Sequence, residues 1–104
     1  MKPFLDLVGR SGASYRLKLA APDRLPTTAG NFVFLRASAS GEQVVCCGTA
    51  RSLTRAAGLW TTAVEQHRAN RIYVRLNVSR EAREREHEDL LGALQPVMVA
   101  AELD

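Results

Sequence analysis

Three groups of side chains in this sequence have types and spacings that could do chemistry. Glu84, His87 and Glu88 stand at i, i+3 and i+4, which puts two carboxylates and an imidazole on one face of a helix. Such a mixed oxygen and nitrogen set is a weak metal candidate, suited to a transition metal rather than to magnesium, which takes oxygen ligands. The same residues also make an ordinary solvated face of an arginine- and glutamate-rich helix, and the surrounding composition favours that reading. Second, six arginines (Arg36, Arg51, Arg55, Arg68, Arg71 and Arg75) fall in a stretch whose acids are Glu42 and Glu65. Of these, Arg36, Arg51, Arg55 and Arg71 are the candidate phosphate contacts of a nucleic-acid-binding surface. Third, Cys46 and Cys47 are adjacent, too close for an unstrained disulfide. No Cys-x-x-Cys spacing accompanies them, so neither a structural zinc nor a disulfide framework is indicated. Trp60 reads as a core anchor before a base-stacking platform, and His67 as a charge at a helix C-terminus. No Ser-His-Asp set, phosphate-cradling glycine loop or dinucleotide fingerprint is present.

These residues need elements to hold them. Gly30 to Leu35 and Val44 to Gly48 are apolar runs flanking the loop 37–42, a β-hairpin whose Gly41 can supply a positive φ. Its second strand runs directly into a helix start, with Ser52 as the expected N-cap and a stripe of Leu53, Ala56, Ala57, Trp60 and Val64. Gly58 weakens that helix by about 1 kcal/mol relative to alanine, which implies close packing there or a division into two short helices. Upstream, Phe4 to Val8 and Tyr15 to Leu19 form an N-terminal hairpin, with Tyr15, Leu17 and Leu19 on one face. This hairpin is expected to extend or cover the central sheet. Residues 71–78 form a strand with Ile72, Val74, Leu76 and Val78 opposite Tyr73 and Arg75. Ser79 caps a charged helix from about Arg80 to Leu94, whose first turns are expected to project beyond the core because its leucines come late. Pro96 ends it, and residues 97–101 can return as an edge strand.

Composition bounds the rest. With 104 residues the chain is expected to be one domain, divided as an N-terminal hairpin (1–20), a core (30–96) and a C-terminal strand or tail (97–104). No apolar window approaches the roughly 18 residues of a membrane span, and the N-terminus lacks the apolar run of a secretory signal, so a cytoplasmic, bacterial-type protein is the expectation. Lys+Arg 14 against Asp+Glu 11 is only mildly basic. Arginine exceeds lysine twelve to two, a bias a GC-rich genome produces without selection for phosphate.

The order hairpin, helix, strand, helix, proline resembles the GIY-YIG nuclease domain over residues 30–96. Gly30-Asn31-Phe32 stands where the first tripeptide of that family would be and Cys46-Cys47-Gly48 where the second would be, while Gly48-Thr49-Ala50-Arg51-Ser52-Leu53 matches its strand-to-helix turn. The resemblance implies catalytic places at Phe32, Cys46, Ala56 and His87. The first two hold tyrosines in the family, the third an arginine and the fourth the metal-binding glutamate. Arg55 is one residue from the arginine position, about 100° around a helix, and Asp89-Leu90-Leu91 before Pro96 matches the segment that follows the glutamate. With all four places substituted, the expected general acid-base contribution of about a hundred- to ten-thousand-fold is missing.

The sequence therefore reads as an α/β (α+β) domain: a small, mostly antiparallel sheet with two main helices, GIY-YIG-like, plus an N-terminal hairpin. Its expected function is non-enzymatic association with DNA or RNA, with no cofactor. The alternatives are a protein-interaction adaptor or homodimer, in which the acidic helix and the terminal strand make the contact, and a residual magnesium-dependent endonuclease.

Overall fold

The β3–β4 hairpin sits inside the sheet rather than at its margin, and that position explains why its sequence is so continuously apolar. The computed structural model describes residues 2–104. It contains β1 (Phe4–Val8), β2 (Ser14–Ala20), β3 (Gly30–Ser38) and β4 (Gly41–Ala50), then a 3₁₀ turn (Leu53–Ala56) and α1 (Ala57–His67). β5 (Arg71–Leu76), α2 (Arg80–Leu94) and β6 (Met98–Leu103) follow. All six strands join one sheet in the order β1-β2-β5-β3-β4-β6. Every pairing is antiparallel except that of β4 with β6. The fold is thus the α+β arrangement expected, with the N-terminal hairpin extending the sheet through β2. No helix is long and apolar enough to cross a membrane.

The crossovers β4-α1-β5 and β5-α2-β6 run in opposite directions along the sheet, so right-handed connections place the helices on opposite faces. Side-chain alternation then divides the core in two. Phe32, Phe34, Cys46, Ile72 and Val74 pack beneath the 3₁₀ turn and α1, whereas Val33, Leu35, Cys47, Leu17 and Tyr73 lie on the α2 side. Both cysteines are fully buried for this reason, one in each layer.

The sheet curls around its α2 face. A flat sheet would hold β1 and β4 about 19 Å apart, yet Lys2 Nζ reaches Glu42 Oε1 at 2.8 Å, and the Tyr73 hydroxyl donates to the Lys2 carbonyl at 2.9 Å. α2 is tied to the N-terminal hairpin by Asp89, whose carboxylate accepts from the Ser11 amide at 2.8 Å and from the hydroxyls of Ser11 and Tyr15 at 2.6 Å. Those bonds, Ser11 first, hold its carboxyl below the usual range.

Three expectations change. The stripe after Ser52 is not one helix: the 3₁₀ turn buries Leu53 and Ala56, and α1 then buries Ala63 while leaving Ala57 and Val64 exposed. Three residues per turn in the first segment against 3.6 in the second shift the phase of the pattern. Ser52 precedes the 3₁₀ turn but bonds Thr54 Oγ1 at 2.7 Å instead of capping the backbone. Ser79 does cap α2, accepting from the Ala82 amide at 3.2 Å. The first turns of α2 do not project into solvent either, because Arg83, Glu86 and His87 face the sheet and are buried.

Gly48 is fixed by packing. It pairs with Phe32 across the ladder, and a methyl group there would run into the Phe32 ring and approach the Ala100 carbonyl. Gly48→Ala is therefore expected to cost about 1–3 kcal/mol, the usual penalty for overfilling a packed core, read as a lower urea midpoint at unchanged slope.

Candidate nucleic-acid interface

The four places implied by the family resemblance are split by the sheet. Phe32, Cys46 and Ala56 come together in the α1-side layer, each with 0% exposure, whereas His87 lies on the other side beneath α2. Phe32 and Cys46 are packing residues. Burial pushes the thiols of Cys46 and Cys47 up to about 12, so neither is a nucleophile near neutrality.

The metal candidates diverge as well. Glu84 and Glu88 face solvent, whereas His87 faces the sheet, and Glu84 is occupied by Arg80 at 2.8 Å. Among the described residues no three His, Cys, Asp or Glu side chains are placed to share an ion.

The four candidate arginines fall into two pairs at opposite ends of the hairpin. Arg51 and Arg55 follow the end of β4, and Arg51 is engaged by Asp104 at 3.3 Å and Glu102 at 4.0 Å. Arg36 and Arg71 lie near the hairpin loop, on strands β3 and β5. Arg71 points to the α2 side, where Glu42 is 3.9 Å away, while Arg36 lies on the α1 side in the Phe32–Phe34 register. Among the described residues, Arg36 and Arg55 have no carboxylate within 4.0 Å.

Arg36 is joined instead by Arg68, one of the six clustered arginines but not one of the four candidate phosphate contacts. Arg68 ends α1 in the left-handed conformation (φ 59°). Its amide closes on the Val64 carbonyl at 3.0 Å, and that of Ala69 on Ala63 at 3.1 Å, so the chain turns sharply at the helix end. Asn70 fastens this turn to β3: its side chain accepts from the Ala37 amide and donates to the Ala37 carbonyl, both at 2.9 Å. The result is an open cleft of about 210 Å³ lined by Arg36, Gln43, Gln66, His67, Arg68 and two valines. Among the described residues no carboxylate lines it. Two guanidinium groups flanked by amide and imidazole donors form a surface that can accept phosphate oxygens.

The polar residues most deeply buried lie elsewhere, beneath α2. Arg83, only 4% exposed, donates from both Nε and Nη2 to Glu102 and from Nη1 to the Val78 carbonyl at 3.0 Å. Glu102 also accepts from the Thr49 hydroxyl at 3.1 Å, and its own amide donates back to Thr49 Oγ1 at 2.7 Å. The geometry depends on an extra residue in β6: Ala100 faces Gly48 but Leu103 faces Ala50, and Glu102 takes φ 52° at the bulge. Asn31 continues the network, donating to the Arg83 carbonyl and accepting from Asn77, each at 3.0 Å. Beside it Arg75 holds Glu86 at 2.7 Å. With its partners satisfied, this network is a structural tie between α2, β4 and β6.

No protein-family model matches the chain, and no curated protein or solved structure matches it at a significant level. The site must be read from its own geometry.

Proposed function

We propose that the chain is a cytoplasmic, non-catalytic nucleic-acid-binding module that grips phosphate at Arg36 and Arg68. The observation that carries this reading is the cleft that both arginines line together with Gln43, Gln66 and His67 and, among the described residues, with no carboxylate. The non-catalytic part of the reading is supported by Phe32, Cys46 and Ala56, which are fully buried in the layer beneath α1 and present no accessible acid, base or nucleophile there. Phosphate contacts release counterions, so affinity falls as salt rises.

A gel shift with mixed-sequence oligonucleotides, repeated across a salt series, tests the proposal. Binding is expected at low salt, weakening linearly on logarithmic axes. Arg36→Ala with Arg68→Ala is expected to weaken binding across all sequences and to reduce the slope by about 2, near one per phosphate contact. Binding that is absent at low salt, or insensitive to salt, would refute it.

A further inference from the structure

We infer that the hollow beside Trp60 seats one unpaired base, so that the module takes single-stranded nucleic acid in preference to duplex; this rests on the phosphate-binding reading above. The hollow, about 380 Å³, is lined by Leu19, Ala20, Pro22, Trp60 and Ile72, with Asn70 and Arg71 at its edge. It lies on the other side of the Arg68–Asn70 turn from the basic cleft, since Gln66 to Arg68 line one and Asn70 to Ile72 the other. Trp60 is only half-buried. Its indole is held by Phe34, with ring centroids 5.1 Å apart and planes at 77°, and Phe34 is backed by Phe32 at 5.3 Å. The indole is thus anchored within the core while bordering an open apolar space.

The polar groups at the edge are already engaged. Both ends of the Asn70 amide are spent on Ala37, and the Arg71 guanidinium is turned to Glu42. The hollow therefore offers stacking and apolar contact with no donors or acceptors set out to read a base edge, which is how sequence-tolerant single-strand sites work. Arginines stand close in sequence to two of its lining segments. Arg24 follows Pro22 in a turn closed by its amide on the Ala21 carbonyl at 3.1 Å, and Arg68 precedes Asn70; Asp23 is the one acid in that first turn. A duplex keeps its base faces stacked inside, so only a single strand can fill this space.

Trp60 is the sole tryptophan, so its fluorescence reports on the hollow directly. A thymidine oligonucleotide should quench it on binding, whereas a duplex of matched length should bind at least about tenfold more weakly with little quenching. Trp60→Ala is expected to lower single-strand affinity by about 5- to 150-fold, the usual effect of removing one stacking platform, with the salt slope unchanged; Trp60→Phe should retain most of it. Arg36→Ala with Arg68→Ala should instead weaken both substrates alike. Binding measured by fluorescence polarisation without quenching, or equal affinity for single strand and duplex, overturns the inference and leaves the phosphate reading standing. Failure of every oligonucleotide to bind at low salt overturns both. Should Trp60→Ala not fold, quenching of the wild-type protein by free adenosine decides the matter: saturable quenching supports the seat, and none refutes it.

Discussion

Glu102→Ala is expected to destabilise the protein by about 3–5 kcal/mol, the range found when one partner of a buried ion pair is removed. The loss comes chiefly from what remains. Arg83 is 4% exposed, and without Glu102 its guanidinium keeps only the carbonyls of Asn77 and Val78, leaving a desolvated charge unpaired. Replacing both residues, as in Arg83→Met with Glu102→Leu, should recover most of the loss because no orphan charge is left. Disrupting the exposed pair with Glu84→Ala, which frees Arg80 on the same helix, should change stability by no more than about 0.5 kcal/mol. Urea unfolding of the variants checks all of these. If Glu102→Ala cost as little as Glu84→Ala, the network beneath α2 would not be a structural tie.

The second large effect is pH dependence from His87. Its Nε2 is buried without a hydrogen-bond partner, and burial lowers its pKa below the ordinary value of 6.5, against a smaller opposing effect from Glu88. The unfolded chain therefore takes up a proton at a pH where the folded protein does not. Stability should be full above about pH 6.5 and fall as pH drops, by up to about 1.4 kcal/mol per pH unit until the folded state also protonates. Glu102 acts in a lower window. Its carboxyl is held below the ordinary value of 4.5, first by the Arg83 hydrogen bonds and then by Thr49, so its contribution is present above that value and disappears as pH falls through the folded pKa. His87→Met should flatten the curve just below pH 6.5 and leave the lower acid transition in place. Thermal unfolding across a pH series measures this, and an unchanged slope in that interval would remove His87 as its cause.

The positions just discussed show where sequence reading succeeds and where it stops. The hairpin was legible because strands covered on both faces leave nearly continuous apolar runs, and Phe32 to Leu35 is such a run. Tyr15, Leu17 and Leu19 were legible from their alternation, and α2 from its Ser79 cap and the proline after it. Gly58 signalled a division of the segment after Ser52 as one of two readings, but the phase was hidden because a 3₁₀ turn precedes α1, and no residue type fixes where that change falls. Arg83 read as one more solvated charge in an arginine-rich helix, since its partner lies 19 residues on in a bulge that only pairing with β4 creates. The candidate cleft divided in the same way. Arg36 could be found by charge, but Arg68 acquires its meaning from a left-handed helix end folded against β3. Arg51 and Arg71 carry the same charge as Arg36 and are engaged by carboxylates that a linear reading could not place beside them.

The adjacent cysteines have a use that their inertness makes available. Neighbouring positions in β4 place Cys46 beneath α1 and Cys47 beneath α2, so each thiol is shielded by a different helix. A reagent that modifies only exposed thiolates would label Cys46 when the α1 layer opens and Cys47 when the α2 layer opens. Single-cysteine variants would then report two local opening free energies from one strand. Equal rates would mean that the layers part in one cooperative event, and unequal rates would identify the helix that leaves first.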